Sequence, residues 1–179
     1  METEQRAFTG WGRTAPTTAT LVRATADELT GPDGLSTVVG PRGAIARGLG
    51  RSYGDPAQNG GGAVIELLAG EAPIRLDTEA GIAHVDAGVS LDQLLREIVP
   101  RGFFVPVTPG TRFVTVGGAV ASDIHGKGHH SDGSFGAHVT RMGMLLADGS
   151  RRSITPSSDP DLWWATIGGM GLTLSLIHI

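Results

Sequence analysis

Short apolar runs bounded by glycine and polar clusters recur along this chain, and their spacing switches between the two-residue period of strands and the longer period of helices. Gly43-Ala44-Ile45-Ala46 predicts a strand running into a glycine-rich loop, and Ala63-Val64-Ile65-Glu66-Leu67 predicts a second after Asn59-Gly60-Gly61-Gly62. Pro73 to Asp77 and Ile82 to Asp86, parted by Thr78-Glu79-Ala80-Gly81, predict a hairpin, as do Met142 to Leu146 and Arg151 to Thr155 around Asp148-Gly149. Ser90 with Gln93 three residues on forms a capping box for a helix through about Val99, whose Leu91, Leu94, Leu95 and Ile98 make one apolar core face. A short small-residue helix is predicted over Thr115 to Ser122, after the turn Thr108-Pro109-Gly110-Thr111. Its start is expected to offer unpaired N–H groups to an anion or a polar ring edge. Another helix is predicted from Asp159-Pro160 to Gly168; its adjacent Trp163 and Trp164 must face different sides, so at least one belongs to the core. Thr25 to Gly40 predicts a short or broken helix, because Gly31-Pro32-Asp33-Gly34 interrupts it. Trp11-Gly12-Arg13 is expected ahead of the first strand, with Arg13 the better anion contact of that segment. No fixed-period repeat is present, and the alternation predicts a compact α+β domain.

The glycine-rich loop carries the chemistry. Ala46-Arg47-Gly48-Leu49-Gly50-Arg51-Ser52-Tyr53-Gly54-Asp55 has three glycines that can take positive φ and turn successive backbone N–H groups toward one point. A phosphate ester, and a pyrophosphate above all, suits such a loop. A Walker loop needs Gly-Lys-Ser/Thr where Gly50-Arg51-Ser52 stands, and a dinucleotide G-x-G-x-x-G from Gly48 needs glycine at Tyr53, so neither reading is supported. A purely structural turn of a glycine-rich protein is the plain alternative.

Composition narrows the classes. The chain has 179 residues, 28 of them glycine, and a formal charge of −4. Its basic residues are scattered and aromatics are few, which argues against nucleic-acid binding. No apolar stretch approaches the roughly 18 residues of a membrane span. Met1-Glu2-Thr3-Glu4-Gln5-Arg6 lacks the order of a signal peptide, which assigns the chain to the cytoplasm by default and leaves cell-envelope or periplasmic association open. Without cysteine there are no disulfides, thiolate nucleophiles or cysteine-ligated metals. His125, His129 and His130 with Asp123 could be drawn as a metal cluster, but Gly126 and Gly128 argue against a helix gathering them on one face, and no metal is expected.

An ordered series of motifs goes further. Gly10-Trp11-Gly12-Arg13-Thr14, the Arg47 to Asp55 loop with Gln58-Asn59-Gly60-Gly61, Pro109-Gly110-Thr111-Arg112 with Val114-Thr115-Val116-Gly117-Gly118, and Asp123-Ile124-His125-Gly126-Lys127 with His129-His130 stand in sequence. Ser134-Phe135-Gly136 and Trp164-Ala165-Thr166 follow. Together they resemble the FAD-binding domain of the vanillyl-alcohol-oxidase type of flavoproteins, over roughly residues 8 to 173. The resemblance implies two α+β subdomains across residues 16–173, preceded by an N-terminal segment 1–15 and followed by a divergent tail 174–179, which departs from the family and is assigned no role. It further implies that the substrate or cap domain, with the family's main catalytic lysine, lies in a C-terminal portion this sequence does not contain, so that the chain is an N-terminal fragment, inactive alone.

The same resemblance assigns cofactor contacts to Ala46, Arg47, Gly48, Leu49, Gly50, Arg51, Ser52, Tyr53, Gly54, Asp55 and Pro56, to Gly110 and Thr111, to Thr115, Val116, Gly117 and Gly118, and to Ser122, Asp123, Ile124 and His125. Lys127, Tyr53 and His125 are implied on the flavin and substrate side as catalytic candidates. A histidine that bonds covalently to flavin in many relatives is replaced by Arg51, whose guanidinium cannot do so, and dissociable, non-covalent FAD is expected. The branch most resembled transfers a hydride from the 2′ C–H of a polyprenyl-phosphate ribose to flavin; a partner keto-reductase then completes epimerisation to the arabinose donor of cell-wall arabinan. A quinone is among the implied electron acceptors. An FAD-dependent oxidase of a soluble alditol or aldonolactone, and a non-catalytic flavin-binding fragment, are the alternatives.

Overall fold

The computed structural model describes residues 1–31 and 33–173 and the backbone of Leu176–His178. Its first sheet contains β1 (Glu2–Phe8), β2 (Thr17–Ala24), β3 (Ala44–Ala46) and β4 (Ala63–Leu67) in the order β1-β2-β4-β3. β1 pairs antiparallel with β2, whereas β4 runs parallel to both β2 and β3. Between β2 and β3 lie two one-turn helices, α1 (Ala26–Leu29) and α2 (Leu35–Val38), the broken helix expected from the Gly31–Gly34 interruption. Ala63, Val64 and Ile65 are buried in succession because β4 is central and covered on both faces. Val22, Leu29, Leu35 and Ile65 pack on one side; Phe8, Leu21, Ile45 and Val64 pack on the other.

The second half begins with the hairpin β5 (Ile74–Asp77) and β6 (Ile82–Val85), then α3 (Leu91–Ile98) and α4 (Val116–Ala121). One-turn helix α5 (His129–Asp132) precedes β7 (Met142–Leu145) and β8 (Arg151–Ile154), followed by α6 (Pro160–Thr166) and β9 (Leu176–His178). The last sheet has the order β8-β7-β9. Leu91, Leu94, Ile98, Val116, Val120, Met142, Met144 and Trp163 form its core, and Leu145 on β7 joins the cluster of the first sheet. Trp163 is 1% exposed and Trp164 62%, the split their adjacency requires. The architecture is α+β, as the alternation predicts.

Two expectations need correction. Trp11-Gly12-Arg13 does not precede the first strand: it forms the turn between β1 and β2. β1 escaped notice because an edge strand exposed along Glu2–Ala7 carries no alternation of apolar and polar residues. Second, the first three amides of α4 are already paired within the protein. Val116 N–H goes to Val89 O at 2.8 Å, Gly117 N–H to Ala87 O at 2.9 Å and Gly118 N–H to Thr115 Oγ1 at 3.0 Å. A one-turn helix does form among the histidines, but it begins at His129 with Gly128 as its N-cap, so Asp123 and His125 lie outside it, as Gly126 and Gly128 imply.

Candidate functional site

Parallel strands cannot be joined by a tight turn, so the chain leaving β3 must cross over before it returns as β4. Residues 47–62 make that crossover without a regular helix or strand, and the glycine loop sits where β3 ends, the edge at which open sheets with parallel strands bind ligands. Among the described residues, the backbone N–H groups of Gly48, Leu49, Gly50, Arg51, Ser52, Tyr53, Gly54 and Asp55 donate to no protein acceptor. An uninterrupted run of free amides on a glycine-rich turn is an anion cradle.

Arg47 holds the cradle in shape. Its Nη1 donates to Ala57 O at 2.9 Å and its Nη2 to Thr9 O at 2.7 Å, and the guanidinium lies 5.2 Å from the centroid of the Phe8 ring. Burial pushes this guanidinium below its ordinary pKa range, against the nearby Glu66 carboxylate, and Arg6 adds to the depression. Gly50 has φ +65°, and a Cβ on it would come within 2.4 Å of Arg47 Nη2. Glycine is required there on both grounds.

The loop borders a cleft of about 570 Å³. Ala46, Arg47, Gly48, Leu49, Ser52 and Pro56 line it from the first sheet; Thr115, Gly117, Gly118 and Ser122 line it from the second half. The two walls close at Gly48, where an added Cβ would stand 2.4 Å from Thr115 Oγ1. Sequence reasoning missed Thr9, Glu66, Gly88 and Thr166 on the same lining. Gly88 could have been suspected as a glycine of close approach, since a Cβ would meet Leu67 O at 2.2 Å, whereas Thr9 and Glu66 carry no such signal.

Other candidates fall elsewhere. Gly110, His125 and Lys127 line a second cavity of about 860 Å³ with His129 and Asp132. The His125 and His129 rings meet edge to face at 5.3 Å, and His129 and His130 lie 4.0 Å apart. Among the described residues no group of three or more His, Cys, Asp or Glu side chains is arranged to hold a metal ion. Val116 is 2% exposed and belongs to the core. Ile124 packs against that core, and Asp123, at φ 39°, accepts the Gly136 N–H at 2.9 Å. Thr111, Tyr53, Gly54 and Asp55 line neither cavity, and Tyr53 is 77% exposed. Arg13, also outside both, sits at φ 54° in the β1–β2 turn.

Residues present therefore fit a long cofactor with a pyrophosphate at its middle: free amides beside a cleft whose glycines leave room for backbone approach. Residues 42–155 match the FAD binding domain family. Decaprenylphosphoryl-β-D-ribose oxidase of Mycolicibacterium smegmatis is 53% identical over 178 residues, covering 96% of this chain and 38% of the relative. Alditol oxidase of a Streptomyces species is 32% identical over 153 residues, covering 84% and 36%. A putative D-arabinono-1,4-lactone oxidase of Neurospora crassa is 32% identical over 98 residues, covering 55% and 17%. The chain thus spans well under half the length of these relatives.

Proposed function

The chain belongs to the FAD binding domain family, and from that premise we propose that it holds FAD non-covalently in the service of oxidising the 2′-hydroxyl of a polyprenyl-phosphate ribose to the 2′-keto sugar. The observation that carries this reading is the unbroken run of eight backbone N–H groups, Gly48 to Asp55, with no protein acceptor among the described residues. The Gly48, Leu49 and Ser52 amides, whose residues line the cleft, take the pyrophosphate, and Arg47, tied to the Thr9 and Ala57 carbonyls, keeps them in register. Thr115, Gly117 and Gly118 form the opposite wall. FAD, when bound, supplies the two-electron acceptor that removal of a C–H from a CH–OH group requires.

The second cavity serves as the substrate side. Lys127 and His125 on its wall orient the sugar hydroxyl and hold its proton as the C–O bond becomes a carbonyl. Tyr53 is 77% exposed and outside both cavities, and in this reading it contributes to the substrate side from outside them. The polyprenyl-phosphate pentose follows from the 53% identity over nearly the whole chain, set against 32% to the alditol oxidase. A partner keto-reductase consuming the ketone, and a quinone reoxidising the flavin, complete the proposal.

The protein is purified with FAD, desalted and precipitated with acid. Flavin in the supernatant is expected; flavin in the pellet would contradict the non-covalent site that follows from Arg51. Anaerobic bleaching of the bound flavin by a polyprenyl-phosphate ribose, and not by an alditol, is expected of the full-length protein. Bleaching by the alditol alone would replace the lipid-sugar reading with the soluble one.

A further inference from the structure

Arg51 is already committed within the protein. Its Nε donates to Phe113 O at 3.0 Å, and its guanidinium lies 4.3 Å from the centroid of the Trp11 ring. The backbone repeats the first connection, with Trp11 N–H donating to Ser52 O at 2.7 Å and Gly12 N–H to Tyr53 O at 3.1 Å. Gly10 closes the contact: an added Cβ would overlap Gly54 O at 1.8 Å. On the other side the segment holding Phe113 is anchored to α3, through Arg112 Nε on Asp92 Oδ1 at 2.6 Å and Asp92 N–H on Arg112 O at 3.0 Å. Three segments distant in sequence meet at one guanidinium, and neither Arg51 nor Trp11 nor Phe113 lines the cleft itself.

We propose that Arg51 is a positioning residue rather than a phosphate ligand: it is the clasp that fastens the glycine loop to the β1–β2 turn on one side and to residues 111–113 on the other, and FAD enters and leaves by opening it. This rests on the FAD reading for its second half only. A planar guanidinium can stack on an indole face while an in-plane N–H reaches a carbonyl; an ammonium keeps the charge but not that combination. Arg51→Lys therefore separates a clasp from a simple electrostatic partner of the pyrophosphate.

Two readouts are taken on wild type, Arg51→Lys, Trp11→Leu, Trp11→Phe and the Arg51→Lys/Trp11→Leu pair. In the cofactor-free protein, hydrogen exchange at the Trp11 and Gly12 amides is expected to quicken about tenfold in Arg51→Lys and in Trp11→Leu, and to stay near wild type in Trp11→Phe, which keeps an aromatic face. FAD dissociation, followed by recovery of flavin fluorescence, is expected to quicken about tenfold in the same two variants, equivalent to about 1.4 kcal/mol. The pair should be no worse than either single change, because both open one contact. Wild-type exchange and release in Arg51→Lys would overturn the clasp, as would effects of the two sites that simply add. A wild-type protein that binds no FAD would sink the cofactor reading, while the exchange data would still decide whether the clasp exists.

Discussion

Arg47 lines the cleft and also ties together the loops that build it. Its two guanidinium hydrogen bonds span loops 10 and 38 residues away in sequence, to Ala57 and to Thr9. Replacing it with methionine strands both carbonyls, at a cost of about 1–3 kcal/mol for each that stays dry. Arg47→Met is expected to lower unfolding free energy by about 2–4 kcal/mol in urea melts and to weaken FAD binding, whereas a stability within about 0.5 kcal/mol of wild type would show that the clamp is idle. Gly50→Ala faces a left-handed backbone, costing about 1–2 kcal/mol, and displacement of Arg47 as well; a lower melting temperature and about tenfold weaker FAD binding are expected. Gly50 was legible in sequence because a missing Cβ permits its positive φ, whereas Gly48 and Gly54 do not take the positive φ expected of them. Arg47's partners were not legible, since nothing local marks Thr9 or Ala57.

At the scale of elements, local chemistry read well and tertiary pairing did not. The capping box of α3 forms as written, with Gln93 N–H on Ser90 Oγ at 3.2 Å and Ser90 N–H on Gln93 Oε1 at 2.9 Å. Thr115 caps α4 by accepting the Gly118 N–H alone, with no side chain at Gly118 to reciprocate, and it also faces the cleft. Ser90→Ala and Thr115→Ala should each cost about 1 kcal/mol of stability, and only Thr115→Ala should weaken FAD binding, as a fluorescence titration would show. The donors at the start of α4 were misjudged because their acceptors, Ala87 and Val89, arrive from a neighbouring loop. In α1, a hydrogen bond from the Met1 ammonium, with help from Thr25, holds the Glu28 carboxyl at about 2, below its ordinary 4.5. With a depressed folded-state pKa, the stability it contributes is present above pH 4.5 and is lost as pH falls toward 2. Melting curves of Glu28→Gln should show a shallower acid-side decline over that window.

Across the whole molecule, the first sheet and the second half meet along the cleft, so a ligand filling it touches both. FAD at about 100 times its Kd is expected to add about 2.7 kcal/mol to the folded state, raising the melting temperature by roughly 5–10 °C for a chain of this size. An unchanged melting temperature at that excess would mean that the cofactor does not bind the folded chain. The α+β class was legible because alternation of strand and helix patterns is a property of the sequence itself. Sheet order was not, because β1 is apolar at only one end and β3 is three residues long, so each takes its place from its neighbours rather than from its own pattern.

The central claim is that, within the Gly48 to Asp55 run, the amides of Gly48, Leu49 and Ser52 on the cleft lining receive the FAD pyrophosphate. It is tested most directly by NMR of the 15N-labelled protein as FAD is added. Large downfield shifts of the amide protons in that run, reproduced by ADP and absent with riboflavin, are the expected result. FAD binding that leaves the amides of Gly48, Leu49 and Ser52 where they were would contradict it.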